Sequence, residues 1–300
     1  MLLTYSILTD IILDIIKCEF EKPDIIWTDN DISSSDMDFL QRECNKPSEF
    51  DANNKRKYMF DGIIHSNFPI VCKSCEYGQI IGIFETEDRI NDVPWDLWGR
   101  ILRLFTESKH KPFKVFFLAN ESLRQFPDNN LQIRPDNING GYTYKCNPET
   151  IVIYRNEDAT RVLIHELQHS SCLDNDNDEI DIVETRTEAW AELIYIALLS
   201  EGNSNMYKDL LKSQSEWIKR QNKRVKRHMK NPDSREFPWR YTIGKEDIWV
   251  ELVYNTRGFH QHKSISYKPN RSIINSLRLT NPPSNTLKRK FKIPITSNTL

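Results

Sequence analysis

Apolar positions along the chain follow two rhythms, one of period two to strand length and one of helical period. The opening segment MLLTYSILTDIILDIIKCEF carries Asp10 and Asp14 inside its apolar run. It therefore predicts a buried amphipathic helix rather than a membrane span. Residues 23–60 are rich in Asp, Ser, Asn and Pro and read as a long irregular arm. From residue 79 the pattern sharpens. QIIGIF (79–84) and FKVFFLA (113–119) predict strands, and between them 92–108 sets Trp95, Trp98, Leu102 and Phe105 at helical spacing. YTYKC and TIVIY, separated by Asn147-Pro148-Glu149, predict two further strands joined by a tight turn. Helices are expected after Asn156 as N-cap, from about Glu179 to Ser200, and from about Asn205 to Lys230, the last ended by Asn231-Pro232.

Charge changes the picture in one respect. The net charge of the 300 residues is -2, which implies no obligatory polyanion partner. Yet residues 1–51 hold 12 acids and 4 bases, while residues 205–300 hold 7 acids and 21 bases. That asymmetry predicts contact between the two ends or a basic outer face. The N-terminus lacks a basic start and a small-residue cleavage site, so it reads poorly as a signal peptide. Six cysteines are too sparse for a disulfide scaffold, and the expected setting is reducing and intracellular, cytoplasmic by default.

The helix after Asn156 reads RVLIHELQHSS. His165 and His169 are four residues apart, so their side chains share one helical face and can both reach one metal ion. Glu166 lies between them, placed to act as general base toward a water and then to pass the proton to a leaving amine. A zinc site needs a third protein ligand, and the next helix, DIVETRTEAWAEL, offers Glu184, Glu188 and Glu192 at four-residue steps. The bland alternative is that these are solvated helix carboxylates.

This combination resembles the gluzincins, the thermolysin-like class of HExxH zinc metalloproteases, in which a glutamate on the next helix completes a His, His, Glu site. The resemblance covers about residues 79–200. In that class the ligand glutamate is followed four residues later by an acidic residue and three further on by a small one. From Glu184 those positions hold Glu188 and Ala191; from Glu188 they hold Glu192 and Tyr195. Glu188 has its own merits, since Glu188-Ala189 resembles the thermolysin-type string and lies 19 residues beyond His169, against 15 for Glu184. Glu184 is favoured as ligand, Glu188 is the alternative ligand or else the carboxylate supporting a histidine. The string Glu-x-x-Thr-Glu-x-Trp-Ala at 184–191 also resembles uncharacterised metalloprotease-like proteins of large DNA viruses, with a virion or host cell as the implied setting.

The resemblance implies an α+β zincin-like fold: a mixed sheet, a backing helix and a metal-binding active-site helix, with a helical C-terminal subdomain. It implies zinc as cofactor, a protein or peptide as substrate, and metallopeptidase activity. The expected division is an N-terminal region of unknown fold (1–78), an upper subdomain (79–173), a mainly helical lower subdomain (174–285) and a tail (286–300). An edge strand that pairs with an extended substrate is expected at Gly140-Gly141-Tyr142-Thr143-Tyr144, where paired glycines allow close backbone approach.

Three further signals stand apart. Tyr254, Arg257 and His260 are candidates to stabilise an oxyanion, His260 being the one that resembles a thermolysin-like histidine. Cys72-Lys-Ser-Cys75 is half of a zinc knuckle or a plain turn between strands. KRQNKRVKRHMK (219–230) has seven Lys or Arg in twelve residues spread around a helix, which suits a solvated helix, docking on the acidic N-terminal region, or a weak nucleic-acid contact. The rival to an enzyme is a nucleic-acid or virion-associated binding protein on an inactive zincin scaffold, using the basic C-terminal region.

Overall fold

The β-branched and aromatic runs pair into one mixed sheet. The computed structural model describes residues 7–106, 111–128, 131–175, 177–231, 234–253 and 275–293. Its strands are β1 (Thr28–Asp29), β2 (Ile70–Cys75), β3 (Gly78–Ile83), β4 (Phe113–Leu118), β5 (Gly141–Tyr142) and β6 (Ile151–Ile153). They lie in the order β1-β2-β3-β4-β6-β5. The centre, β3-β4-β6, is parallel, and both flanks are antiparallel, so β5 forms the edge beside β6. The general class is α+β with a mixed sheet, as expected.

Alternation along the central strands builds two apolar layers. Ile80, Val115, Phe117, Ile151 and Ile153 face one side, where they meet α4 (Trp95–Phe105) and α6 (Ala159–Ser170). Ile81, Phe116, Val152 and Tyr154 face the other, against α2 (Ser34–Asn45) and α3 (Lys55–His65). Two helices therefore stand where 23–60 was expected to be irregular. Ser33 caps α2 by accepting from the Asp36 N–H, and Leu40, Cys44, Met59 and Phe60 supply the buried face. Those few apolar anchors are diluted among polar residues, which hid the periodicity. α1 (Ile7–Phe20) buries Leu13 and Ile16 but leaves Ile7, Ile11 and Ile15 exposed.

Cys72 and Cys75 both lie within β2, so neither the knuckle nor the turn reading describes them. α6 begins at Ala159, not directly after Asn156. Asp158 is the capping residue in a left-handed conformation, while Asn156 donates to Glu121. Glu157 and Asp158, just before the helix, both have buried carboxylates. Glu157 accepts from Arg124, and Asp158 pairs with Arg278.

The C-terminal half is helical. After α5 (Pro135–Ile138), a short turn before β5, the long helices are α7 (Ile180–Leu199) and α8 (Ser204–Val225). α9 (Phe237–Tyr241), α10 (Ile243–Val253) and α11 (Asn285–Lys290) complete the order. α7 packs against α6, α8, α9 and α10, and so forms the axis between the sheet layer and the helical part. Among the described residues no helix is long and apolar enough to cross a membrane.

Candidate metal centre

Two helices place the chemistry. α6 is held against α4 by a hydrogen bond from Trp98 Nε1 to Thr160 Oγ1 (2.9 Å), and it buries Leu163, Ile164 and Leu167 in the sheet layer. α7 is tied to α6 through Gln168, whose Nε2 donates to Ile164 O and to Thr187 O. With both helices fixed, His165, His169 and Glu184 come together, each offering one ligand atom within 4.8 Å of the others. The Nε2 atoms of the two histidines are 3.1 Å apart. Glu184 Oε2 lies 3.3 Å from His165 Nε2, and its Oε1 lies 3.8 Å from His169 Nε2.

These distances fit a shared cation. Three donor atoms bound tetrahedrally at about 2.1 Å from one ion would stand about 3.4 Å from one another. Each outer ring nitrogen has a carboxylate beside it, the arrangement that orients metal-binding imidazoles. His169 Nδ1 meets both Asp174 carboxylate oxygens, at 2.8 and 2.9 Å. His165 Nδ1 stands 3.1 Å from Glu188 Oε1, but outside the angles of a formed hydrogen bond. With the Nδ1 side of each ring turned to a carboxylate, both Nε2 atoms point at the common centre.

The three glutamates of α7 thus take three different positions. Glu184 faces the centre. Glu188 lies behind His165 and receives Arg161 Nη1 at 2.5 Å, with Lys245 Nζ at 3.8 Å. Glu192 is wholly buried, paired with Lys245 Nζ (2.8 Å) and accepting from Gln214 Nε2 (2.8 Å). None is a solvated surface carboxylate. Sequence reasoning missed Asp174, Arg161 and Lys245. Asp174 sits in a connection with no periodicity, and buried Arg and Lys have no sequence mark that separates them from surface ones.

Electrostatics follow the geometry. Burial alone would lower the His165 pKa, but contacts with Glu184 and Glu188 outweigh it and push it up to about 10. For Glu188, burial raises the carboxyl and Arg161, His165 and Lys245 more than reverse it, leaving it below the usual carboxylate range. Glu184 is likewise held low by His165 and His169 against its burial. Glu166 behaves oppositely. Its burial, only partly offset by the two histidines, raises its pKa.

A cleft of about 440 Å³ opens over these residues, lined by His165, Glu166, His169, Glu184 and Tyr241 together with Gly141, Tyr142 and Tyr144 of the β5 region. β5 reaches this wall because of its glycines. A Cβ on Gly140 would lie 2.4 Å from Arg124 Nη2, and one on Gly141 would lie 2.6 Å from Val162 Cγ1 and 3.3 Å from Glu166 Oε1. The strand is shorter than expected, since only Gly141 and Tyr142 pair with β6. Downstream, Cys146 is joined by a disulfide to Cys172, just past the end of α6. The Cys146 N–H also donates to His169 O. A sulfur bridge at this position was not legible from cysteine spacing.

Tyr254, Arg257 and His260 lie outside the described residues. Tyr241 was not foreseen. It is buried, its hydroxyl makes no hydrogen bond among the described residues, and burial with the nearby Glu184 carboxylate raises its pKa well above 10.

Fold and site together define an α+β protein with a His–His–Glu group that can hold a metal ion beneath a cleft. Comparison of the chain with known protein families, with curated proteins and with solved structures finds no match.

Proposed function

We infer that the chain is a zinc-dependent metallopeptidase of the gluzincin type, hydrolysing peptide bonds. The observation that carries this is the convergence of His165, His169 and Glu184 with Glu166 beside them on one cleft wall. The Glu184, Glu188 and Ala191 spacing supports it, because Glu188 stands behind a ligand histidine and Ala191 is fully buried. The mixed sheet with its antiparallel edge, the helix α4 behind it and the helix α6 across the cleft suit a zincin-like fold.

His165, His169 and Glu184 would hold a zinc ion, and the chemistry it would supply there is that of a Lewis acid, which lowers the pKa of water to about 7 and polarises a carbonyl. Glu166, kept basic by burial, accepts the proton of the attacking water and delivers it to the leaving amine. Tyr241 lines the same cleft with an uncommitted hydroxyl and donates to the developing oxyanion. The free edge of β5 takes an extended peptide as an added strand.

The test joins elemental analysis to cleavage of a quenched fluorescent peptide library. Wild type should carry about one zinc per chain and cleave; Glu166→Gln should keep the metal and lose at least about 100-fold in rate. Metal without cleavage in wild type would favour the rival, a binding protein on an inactive scaffold. Normal cleavage by Glu166→Gln would refute the role given to that residue.

A further inference from the structure

α8, together with the 3-10 turn Lys226–His228 and Lys230 that follow it, is amphipathic in an unusual sense: the buried face is apolar and amide-rich, and the exposed face is cationic. Tyr207, Leu211, Gln214, Trp217, Ile218, Gln221, Asn222 and Val225 are buried. Lys219, Arg220, Lys223, Lys226, Arg227 and Lys230 are all exposed. The bases are therefore not spread around the helix. The exception is Arg224, half-buried with its guanidinium 4.2 Å from the Phe126 ring. Among the described residues no carboxylate pairs with Lys219, Lys223, Lys226, Arg227 or Lys230, so they do not dock on the acidic N-terminal region.

We propose that the cationic face formed by Lys219, Lys223, Lys226, Arg227 and Lys230 binds the phosphate backbone of duplex nucleic acid without reading its sequence. Lys219 and Lys223 lie on α8, and Lys226 and Arg227 on the 3-10 turn Lys226–His228 that follows it. At about 1.5 Å per α-helical and about 2.0 Å per 3-10 residue, Lys219 to Arg227 spans about 13 Å, the length of about four phosphates along one strand, and Lys230 follows just beyond. The lysines recur every three or four residues, so the charge forms a line rather than a point. No large hydrophobic side chain is exposed between Ile180 and Ile293 among the described residues. A helix that lies in a membrane surface needs an apolar face to insert, and a protein interface needs an apolar or aromatic centre. With Trp217 buried, no aromatic ring on this face is free to stack on unpaired bases, which favours duplex over single strand.

The experiment is fluorescence anisotropy of a labelled 20-base-pair duplex of mixed sequence, titrated with full-length protein between 50 and 200 mM salt. Four phosphate contacts give a slope of about -3.6 in log K against log salt, a loss of about 150-fold in affinity over that range. The quadruple variant Lys219→Gln, Lys223→Gln, Lys226→Gln, Lys230→Gln should abolish binding at 50 mM. A control with Lys17→Gln, Lys57→Gln, Lys111→Gln and Lys145→Gln, all exposed, should bind within threefold of wild type. Equal melting temperatures would show that both variants fold. The proposal is overturned by no wild-type binding at 50 mM, by a flat salt slope, by undiminished binding of the first variant, or by binding to phosphatidylserine vesicles but not to the duplex. None of these outcomes depends on the metal or on peptide cleavage.

Discussion

Glu184 and Glu188 should fail in opposite ways when each is changed to glutamine. Glu184 faces the candidate metal centre and its side chain keeps 16% of its exposure; Glu188 keeps 3% and, among the described residues, is the one direct anionic partner of the buried Arg161 guanidinium. Removing the charge of Glu188 leaves Arg161 buried and uncompensated, a loss of about 3–5 kcal/mol for one side of a buried ion pair. At about 2 °C per kcal/mol for a chain of this size, that is a fall of about 6–10 °C in melting temperature. Its effect on metal is indirect, because it supports His165 from behind, and about 10–100-fold in affinity is expected. Glu184→Gln should do the reverse. The metal-free protein should melt within about 2 °C of wild type, while zinc affinity falls beyond the range of Glu188→Gln. Differential scanning calorimetry of the metal-free proteins and zinc competition against a chromophoric chelator measure the two quantities. If Glu188→Gln destroyed zinc binding without loss of stability, and Glu184→Gln bound zinc normally, the assignment of ligand and support would be reversed.

Two further outcomes follow from the same geometry. Gly141→Val should keep zinc but cleave at least tenfold more slowly, because its Cβ would sit 2.6 Å from Val162 Cγ1 and crowd Glu166 and the β5 edge; zinc content with peptide turnover checks this, and unchanged turnover would remove the edge from the substrate path. Thiol labelling of the native protein at pH 8 should modify the exposed Cys18 and spare Cys44, whose buried thiol is pushed up to about 12. In peptide maps Cys146 and Cys172 should label only after reduction, and their labelling in untreated protein would contradict the bridge.

The elements legible in the sequence are those with a dense period. β3, β4, α4 and α7 stand within a few residues of their expected ends, because their apolar residues recur without interruption, whereas α8 stops at Val225, short of the expected Lys230, and gives way to the 3-10 turn Lys226–His228. α2 and α3 were hidden because each anchors itself through few apolar side chains and completes its burial with polar ones. Asp51 accepts from the Lys55 and Arg56 N–H groups and from Arg56 Nε, a start signal made by a loop rather than by a pattern. At the site the division is similar. Spacing along one helix revealed the two histidines and Glu166, since four residues fix a shared face whatever the fold. The choice between Glu184 and Glu188 depends on how α7 is rotated against α6, which spacing alone leaves open. Asp174 depends on a connection, and Tyr241 on the short helix α9, whose placement is set by tertiary packing.

The charges around the centre show why α7 carries three acids on one line. Deep in the protein Glu188 and Glu192 are matched by Arg161 and Lys245, so that layer is balanced without any metal. Nearer the cleft, Glu184, Glu166 and Asp174 face the two histidines, and among the described residues no lysine or arginine pairs with them. A buried carboxylate without a cationic partner is costly, and a divalent cation between the histidines would add a full counter-charge for Glu184 directly and for the others through the field. The balanced inner layer sets the orientation of His165, and the unbalanced outer layer supplies the attraction for a cation. The same separation suits Glu166 as a base: burial raises its carboxyl, and among the described residues no guanidinium or ammonium pairs with it to hold its proton off.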